Sequence, residues 1–131
     1  FMSDIGMLGA MSGLSPESIL SYDYGTYKGY FAESFVAQEM FAAGIGPLYS
    51  WQEGRAELEF VRDIRGQIVP IEVKSGSVTQ AKSLASFDHK YHPQHTVVFS
   101  ARNLKIQQSG KRLMLPLYLA GEPKILEALM V

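Results

Sequence analysis

The chain contains no cysteine, no long apolar run and no strong excess of charge of either sign. Without cysteine it cannot form disulfides, and no secretory signal is visible at its start, so the sequence is typical of a cytoplasmic protein. The longest late apolar run, residues 113–120, is far shorter than the ~18 residues of a membrane-spanning helix. It is also interrupted by Pro116. We therefore expect no membrane among the partners of this protein.

The size and composition of the chain predict one globular domain. It has 131 residues, of which 47% are hydrophobic and 19% are charged. This is enough for a single domain with a real core and too little for two domains of ordinary size. We expect residues 1–131 to form that domain, with residues 1–25 as a helical lead-in. Because the chain begins at Phe1 with a segment that is already apolar and periodic, we also expect it to be a fragment of a longer protein.

Charge is unevenly distributed along the chain, although the net charge is only −1. Residues 1–73 hold four basic and ten acidic residues, a net charge of −6, whereas residues 74–112 hold seven basic residues and one acidic residue, a net charge of +6. This division suggests acidic metal ligands next to a phosphate-binding surface. The alternative is ordinary solvated charge. The near-neutral total argues against tight nonspecific DNA binding by this domain alone.

Apolar periodicity and capping residues predict an alternation of helices and strands. Helices are predicted over residues 4–12, from residue 16 onward, and over 26–43, 79–91 and 123–130, with a loop at 22–25. Strands are predicted over residues 48–52, 56–64, 68–74 and 96–101, with a last strand or short helix within 112–120. Residues 65–67 join two strands as a hairpin, and Pro70 predicts an edge or a bulge where it falls. The order predicts an α/β sandwich with a mixed central sheet.

The segment Glu72-Val73-Lys74 ends an apolar strand and carries the strongest functional signal. Alternation along the strand sends Ile71 and Val73 to one face, and Glu72 and Lys74 to the other. Ionised groups are costly to bury unless they are paired or bind a metal ion. We therefore expect a carboxylate and an ammonium to act together at this position.

Three further carboxylates are expected near this strand. Glu57 and Glu59 share one face of the preceding strand, and the hairpin lets Glu59 approach Glu72. Glu57 is better explained as an exposed or structural carboxylate, with an outer-shell ligand as the alternative. On a helical wheel, Glu33 lies in an apolar stripe of the long helix, within residues 30–40, where a buried acid needs a partner. That partner is Lys74 or a metal ion; alternatively, Glu33 reaches solvent at the helix start, where the dipole favours it.

These residue types together predict a metal-dependent hydrolytic site. Glu59, Glu72 and the carbonyl of Val73 supply the oxygen ligands that Mg²⁺ or Mn²⁺ prefers. Such an ion lowers the pKa of a bound water and stabilises charge on phosphoryl oxygens. Lys74 then orients or helps to deprotonate that water and neutralises charge at phosphorus. The predicted substrate class is therefore a phosphodiester.

The set of Glu33, Glu59, Glu72 and Lys74 resembles the PD-(D/E)XK nuclease superfamily. Its core carries an acid and an acid-x-lysine on a hairpin, with another acid on the preceding helix. The resemblance implies a restriction-endonuclease-like α/β/α core, here preceded by short N-terminal helices, and assigns these four residues to catalysis. One position departs from the pattern, because the superfamily usually has Asp where this chain has Glu59. The additional methylene shifts the carboxylate of the second strand.

A second resemblance covers nearly the whole chain, through the segments DIGML (4–8), KGYFAESFV (28–36), LYSW (48–51), ELEFV (57–61) and VPIEVKSG (69–76). In this order they are similar to the uncharacterised C-terminal domain of prokaryotic AAA-type ATPases. The chain has no Gly-x-x-x-x-Gly-Lys-Ser/Thr motif, so ATP is expected to bind only through an absent upstream domain. The resemblance implies that upstream ATPase domain as a partner.

Two functions from different classes remain open. The first is a metal-dependent nuclease with Glu59, Glu72 and Lys74 at its centre and Glu33 in support. The second is an inactive nuclease-fold module that binds nucleic acid or a partner protein for its ATPase. The complete set of acids and lysine favours the first, and the Glu in place of Asp favours the second. The apolar N-terminus could pack against upstream segments or against a second copy of the chain, which makes a homodimer one possible assembly.

Overall fold

The computed structural model describes residues 1–21, 23–77 and 80–130. Five helices are described: α1 (Ile5–Met11), α2 (Pro16–Leu20), α3 (Lys28–Ala42), α4 (Lys82–Tyr91) and α5 (Pro123–Leu129). Six strands are described: β1 (Tyr49–Glu53), β2 (Ala56–Ile64), β3 (Gln67–Val73), β4 (Thr96–Ser100), β5 (Lys105–Gln107) and β6 (Arg112–Pro116). Short 3-10 turns at Gly25–Tyr27 and Leu117–Leu119 precede α3 and follow β6.

The six strands form one mixed sheet in the order β1-β2-β3-β4-β6-β5. β1, β2 and β3 are antiparallel neighbours, β3, β4 and β6 are parallel, and β5 is antiparallel to β6. Helices α3 and α5 pack on one face of the sheet, and α4 packs on the other. The predicted α/β architecture with a mixed central sheet is therefore confirmed. No helix among the described residues is long and apolar enough to cross a bilayer.

Local capping explains where the N-terminal helices begin. The Asp4 side chain accepts a hydrogen bond of 2.9 Å from the Met7 N–H and starts α1. The Ser15 side chain accepts one of 3.1 Å from the Ser18 N–H and starts α2, with Pro16 at the first helical position. Both caps satisfy an amide that has no partner within its own helix. The two predicted short helices are confirmed.

A tight turn joins β2 to β3 and fixes their register. Arg65 and Gly66 both have positive φ, 54° and 80°, as a two-residue type I′ turn requires. The register is unbroken from Ile64↔Gln67 to Phe60↔Ile71 and shows no bulge at Pro70. β3 is an interior strand, but its pairing with β4 starts only at Ile71. Proline, which has no N–H, therefore sits where β3 is bordered by β2 alone.

Several predicted boundaries differ from those of the structure. The long helix begins at Lys28, after a 3-10 turn, rather than at residue 26, and α4 begins at Lys82 rather than at residue 79. Thr79, the predicted first residue of that helix, lies outside the described residues, as does Tyr22 of the predicted loop. Residues 112–120 contain both a strand and a 3-10 turn, and β5 was not predicted. Tyr30, which the helical wheel assigns to the apolar stripe around Glu33, is 63% exposed, and Ser34, which the wheel assigns to the polar half of the helix, is buried. The wheel placed both wrongly, because α3 has neighbours on more than one side.

The sheet carries a core on each face. The larger core joins α3 and α5 to the sheet, and its most buried side chains include Val36, Met40, Phe60, Ile71, Phe99, Leu115 and Leu126. The smaller core joins α4 to the sheet through Leu58, Val61, Leu84, Phe87, Val98 and Met114. Because both faces are covered, any charged side chain on β3 must be paired or reach an opening of the sheet.

Candidate active site

The predicted site residues come from three adjacent elements. Glu33 lies on α3, Glu59 on β2, and Glu72 and Val73 at the end of β3, with Lys74 directly after it. β3 and β4 are parallel, and the Lys74 N–H donates to the Phe99 carbonyl at 2.8 Å. The site is therefore at the carboxyl end of parallel strands, where open α/β sheets commonly bind ligands.

A bulge in β2 places Glu59 outside the regular pairing of the sheet. The register between β1 and β2 shifts by one residue between Tyr49↔Val61 and Trp51↔Leu58. Leu58 and Val61 consequently pack on the same side, with α4, although they are three residues apart. Phe60 packs on the other side, with α3. Bulges redirect side chains and are frequent beside functional sites.

The Glu59 carboxylate replaces a strand partner that β3 has lost. Pairing between β2 and β3 ends at Phe60↔Ile71, two residues before β3 itself ends. The Val73 N–H instead donates a hydrogen bond of 3.2 Å to Oε2 of Glu59. β2 and β3 therefore separate at this end, and a carboxylate occupies the gap.

Glu72 and Lys74 form an ion pair on one face of β3. The distance between Lys74 Nζ and Glu72 Oε1 is 2.5 Å, and the Glu72 side chain is only 4% exposed, against 30% for Lys74. Ile71 and Val73 belong to the core on the α3 side, which confirms the predicted alternation. The second carboxylate oxygen of Glu72, Oε2, is buried and has no hydrogen-bond partner among the described residues. One lysine therefore satisfies only half of this carboxylate.

Two carboxyl groups of the site, those of Glu59 and Glu33, have raised pKa values. The pKa of Glu59 is raised from 4.5 to about 7, first by burial and then by the negative charges of Glu72 and Glu33. The hydrogen bond from the Val73 N–H opposes this shift. The pKa of Glu33 is also raised, by burial and then by the charges of Glu57 and Glu72, whereas Lys74 lowers it. For Glu59 and Glu33, burial and neighbouring negative charge thus outweigh the contacts that would lower the pKa.

Glu33 lies near the site but does not pair with Lys74, which was one of the two partners predicted for it. Lys74 pairs with Glu72, and Glu33 has no ion pair or hydrogen bond within the described part of the chain. It sits in the second turn of α3, half-buried, so the helix dipole at the first turn does not explain it either. Glu33, Glu57 and Glu59 line a common cavity of about 420 Å³. The predicted exposure of Glu57 is confirmed.

No group of three or more His, Cys, Asp or Glu side chains in the described ranges is arranged to hold a metal ion. Magnesium, however, usually keeps several waters and binds through one or two carboxylates. The unpartnered Oε2 of Glu72 and the raised pKa of Glu59 are both features that a nearby cation would relieve. Glu59, Glu72 and the Val73 carbonyl remain the residues able to hold one.

The segment after β3 is anchored by a residue that the sequence did not single out. Arg102, just beyond β4, donates from Nε to the Ser77 carbonyl, and the Ala101 N–H donates to the Gly76 carbonyl at 3.2 Å. These bonds fix residues 75–77 beside Lys74 and bring a guanidinium to the same end of the sheet. In the sequence, Arg102 was visible only as one of the seven basic residues of 74–112.

Comparison with protein families matches residues 28–119 to the family described as Domain of unknown function (DUF4143). The match covers more than half of the chain. The chain belongs to the DUF4143 family. Searches of curated proteins and of solved structures gave no significant match.

The DUF4143 match begins at the first residue of α3 and ends with the 3-10 turn after β6. It therefore includes Glu33, Glu59, Glu72 and Lys74, together with all six strands of the sheet. Helices α1, α2 and α5 lie outside the matched residues. The candidate active site is thus formed entirely by the part of this chain that corresponds to the DUF4143 family.

Proposed function

We propose that this DUF4143 domain is a metal-dependent phosphodiester hydrolase of the PD-(D/E)XK type, acting on nucleic acid. The observation that supports this proposal is the buried ion pair of Glu72 and Lys74, which lies beside Glu59 where β2 and β3 separate. A half-satisfied buried carboxylate next to a lysine and a second acid is costly to maintain. The proposal gives this arrangement a chemical reason, and it interprets the α/β/α layers as a restriction-endonuclease-like core.

Each residue has a distinct role in the proposal. Glu59, Glu72 and the Val73 carbonyl would hold Mg²⁺ or Mn²⁺, which when bound would acidify a water and stabilise charge on the phosphoryl oxygens. As a water oxygen bonds to phosphorus and the bond to the leaving oxygen breaks, that water would lose a proton to solvent and the leaving oxygen would take one from solvent. Lys74 orients that water and neutralises negative charge at phosphorus. Glu33 adds negative charge near the cation from α3.

We further propose that the domain serves an AAA-type ATPase. DUF4143 domains are known in AAA-ATPase-associated proteins. The sequence contains no P-loop motif, so ATP binding and hydrolysis would belong to another domain of such a protein. The nuclease site would then act on nucleic acid that the ATPase engages.

Calorimetric titration of Mn²⁺ tests the metal site directly. Wild type should bind with a stoichiometry near one, and Glu72→Gln, which keeps the size of the side chain, should lose binding. Glu57→Gln is the matched control, because Glu57 is an exposed carboxylate of the same region, and it should bind as wild type does. Near-ultraviolet circular dichroism on each variant confirms that the fold is retained.

Cleavage is measured next, with plasmid and single-stranded DNA in Mn²⁺ and in EDTA. Nicking that requires Mn²⁺ and is lost in both Glu72→Gln and Lys74→Met supports the proposal. Folded wild type that binds no Mn²⁺ and cleaves neither substrate would refute it.

A second candidate is a nuclease-fold module without activity, which binds nucleic acid or a partner protein. Two observations favour it: Glu72 and Glu59 are engaged by groups of the protein itself, Lys74 and the Val73 N–H, and no three-residue metal cluster is arranged in the described part. The Glu in place of Asp at residue 59 agrees with both. Saturable DNA binding in EDTA, with no cleavage in Mn²⁺, would identify this function.

A further inference from the structure

An apolar cavity of about 640 Å³ lies between the N-terminal helices and α3, away from the carboxylates. We call it the lead-in cavity. Most of its lining is aliphatic or aromatic, including Ile5, Leu14, Ile19, Phe31, Phe35 and Leu117. Its volume is in the range of small-molecule sites, which are mostly apolar with a few placed polar groups. The lead-in cavity therefore has the composition of a ligand site.

The lead-in cavity exists because α1 and α2 cover α3 incompletely. α1 has seven residues and buries only Gly9, and α2 has five residues and buries none. Ile19 lines the cavity and is still 48% exposed. Apolar surface left open in this way lowers the stability that its burial would provide, by about 25 cal/mol per Å². An apolar ligand would recover that burial.

One cation marks the polar end of the lead-in cavity. Lys28 is the only charged residue among those described as lining it. Lys28 forms no ion pair with any carboxylate in the described ranges. Its Nζ lies 3.9 Å from where a Cβ on Gly76 would be, next to Ser75, which also lines the cavity. The lysine therefore stands at the junction between an apolar cavity and the segment that follows β3.

We propose that the lead-in cavity binds an amphipathic anion, a free molecule with an apolar chain and a terminal carboxylate or similar group. The apolar chain contacts Phe31, Phe35 and Ile19, and the anionic end pairs with Lys28. A bound molecule would connect α1 and α2 to α3 and to Ser75, the neighbour of Lys74. Helices α1 and α2 lie outside the DUF4143 match, whereas Lys28, Phe31 and Phe35 lie within it, so the site joins the matched domain to the helices that precede it.

Dodecanoate below its critical micelle concentration is the probe, with dodecanol as its uncharged counterpart. Calorimetry on the full chain should show saturable dodecanoate binding, tighter than dodecanol binding. Lys28→Met keeps the apolar stem and removes the charge, so it should weaken dodecanoate binding about tenfold or more. It should leave dodecanol binding unchanged. Lys124→Met, at an exposed lysine of α5, is the matched control and should bind both probes as wild type does.

A second variant tests whether the cavity itself is occupied. Ala10 is exposed on α1 and lines the cavity, so Ala10→Trp should fill it and abolish binding of both probes while the circular dichroism spectrum is retained. The inference is overturned if dodecanoate shows no saturable binding, or if Lys28→Met binds it as wild type does. Co-sedimentation with phosphatidylcholine–phosphatidylglycerol vesicles, without saturable dodecanoate binding, would overturn it in favour of a membrane surface. None of these measurements depends on cleavage, so they stand apart from the nuclease proposal.

Discussion

The charge of Glu59 should make the protein less stable as the pH rises from about 4.5 to about 7. Its carboxyl has a folded-state pKa of about 7, against 4.5 for an exposed glutamate. A carboxyl whose pKa is raised by folding holds its proton more tightly in the folded state. Its contribution to stability is therefore fully present below pH 4.5 and lost as the pH rises through 7.

The magnitude follows from the size of this shift. One pKa unit corresponds to 1.36 kcal/mol, so the difference between 4.5 and about 7 corresponds to at most about 3 kcal/mol. Glu59→Gln removes the titration and keeps an oxygen able to accept from the Val73 N–H. At pH 8 without divalent ions, the variant should be more stable than wild type by about 2–3 kcal/mol. At pH 4.5 the two should be nearly equal.

Urea unfolding at several pH values, monitored by Trp51 fluorescence, measures this difference. Subtracting one free energy of unfolding from the other removes the titrating groups that do not interact with Glu59, and the remaining difference reports Glu59 together with its coupling to Glu72 and Glu33. Glu57→Gln is the control and should change stability by less than about 0.5 kcal/mol at any of these pH values. Stability curves of wild type and Glu59→Gln that run parallel from pH 4.5 to 8 would refute the reasoning. That result would mean that the Glu59 carboxylate is solvated or fully compensated.

Three further predictions concern the same site and the core beside it. Lys74→Met should destabilise the protein by roughly 3 kcal/mol, because Glu72 loses its partner, and Lys74→Met with Glu72→Leu should recover most of this in urea unfolding. A double variant as unstable as the single one would contradict this. Binding of Mn²⁺ at pH 7 should release about half a proton, since the pKa of Glu59 is about 7 and this carboxyl is about half-protonated there; identical calorimetric enthalpies in phosphate and Tris buffers would disprove it. Leu84→Ala should cost about 2–5 kcal/mol, because Leu84 is fully buried under α4, and a loss below 1 kcal/mol in urea unfolding would contradict that burial.

Local patterns were enough to predict most elements of the fold. The caps at Asp4 and Ser15 fixed the starts of two helices, and the hairpin between β2 and β3 was evident from two β-rich segments around Gly66. The strand β5 was missed because three mostly exposed residues carry no alternation that differs from a loop. Its pairing depends on β6, which is a partner from elsewhere in the chain.

The sequence by itself determined which side chains share a strand face. Alternation with a period of two places Glu72 and Lys74 together, whatever surrounds them, since it follows from the geometry of one strand. The apolar residues on either side of Glu72 likewise predicted that it would be buried, as the structure confirms. The residue set of the candidate site could therefore be named before any contact was known.

Only the tertiary structure decided which of these charges meet. The bulge in β2 arises from its register with β1, and it moves Glu59 from the ladder onto the Val73 N–H. Lys74 pairs with Glu72 rather than with Glu33 because the position of α3 over the sheet, not the helical wheel, sets that distance. The lead-in cavity likewise depends on how α1 and α2 pack against α3. Such distances depend on contacts between segments far apart in the chain, and periodicity within one segment carries no information about them.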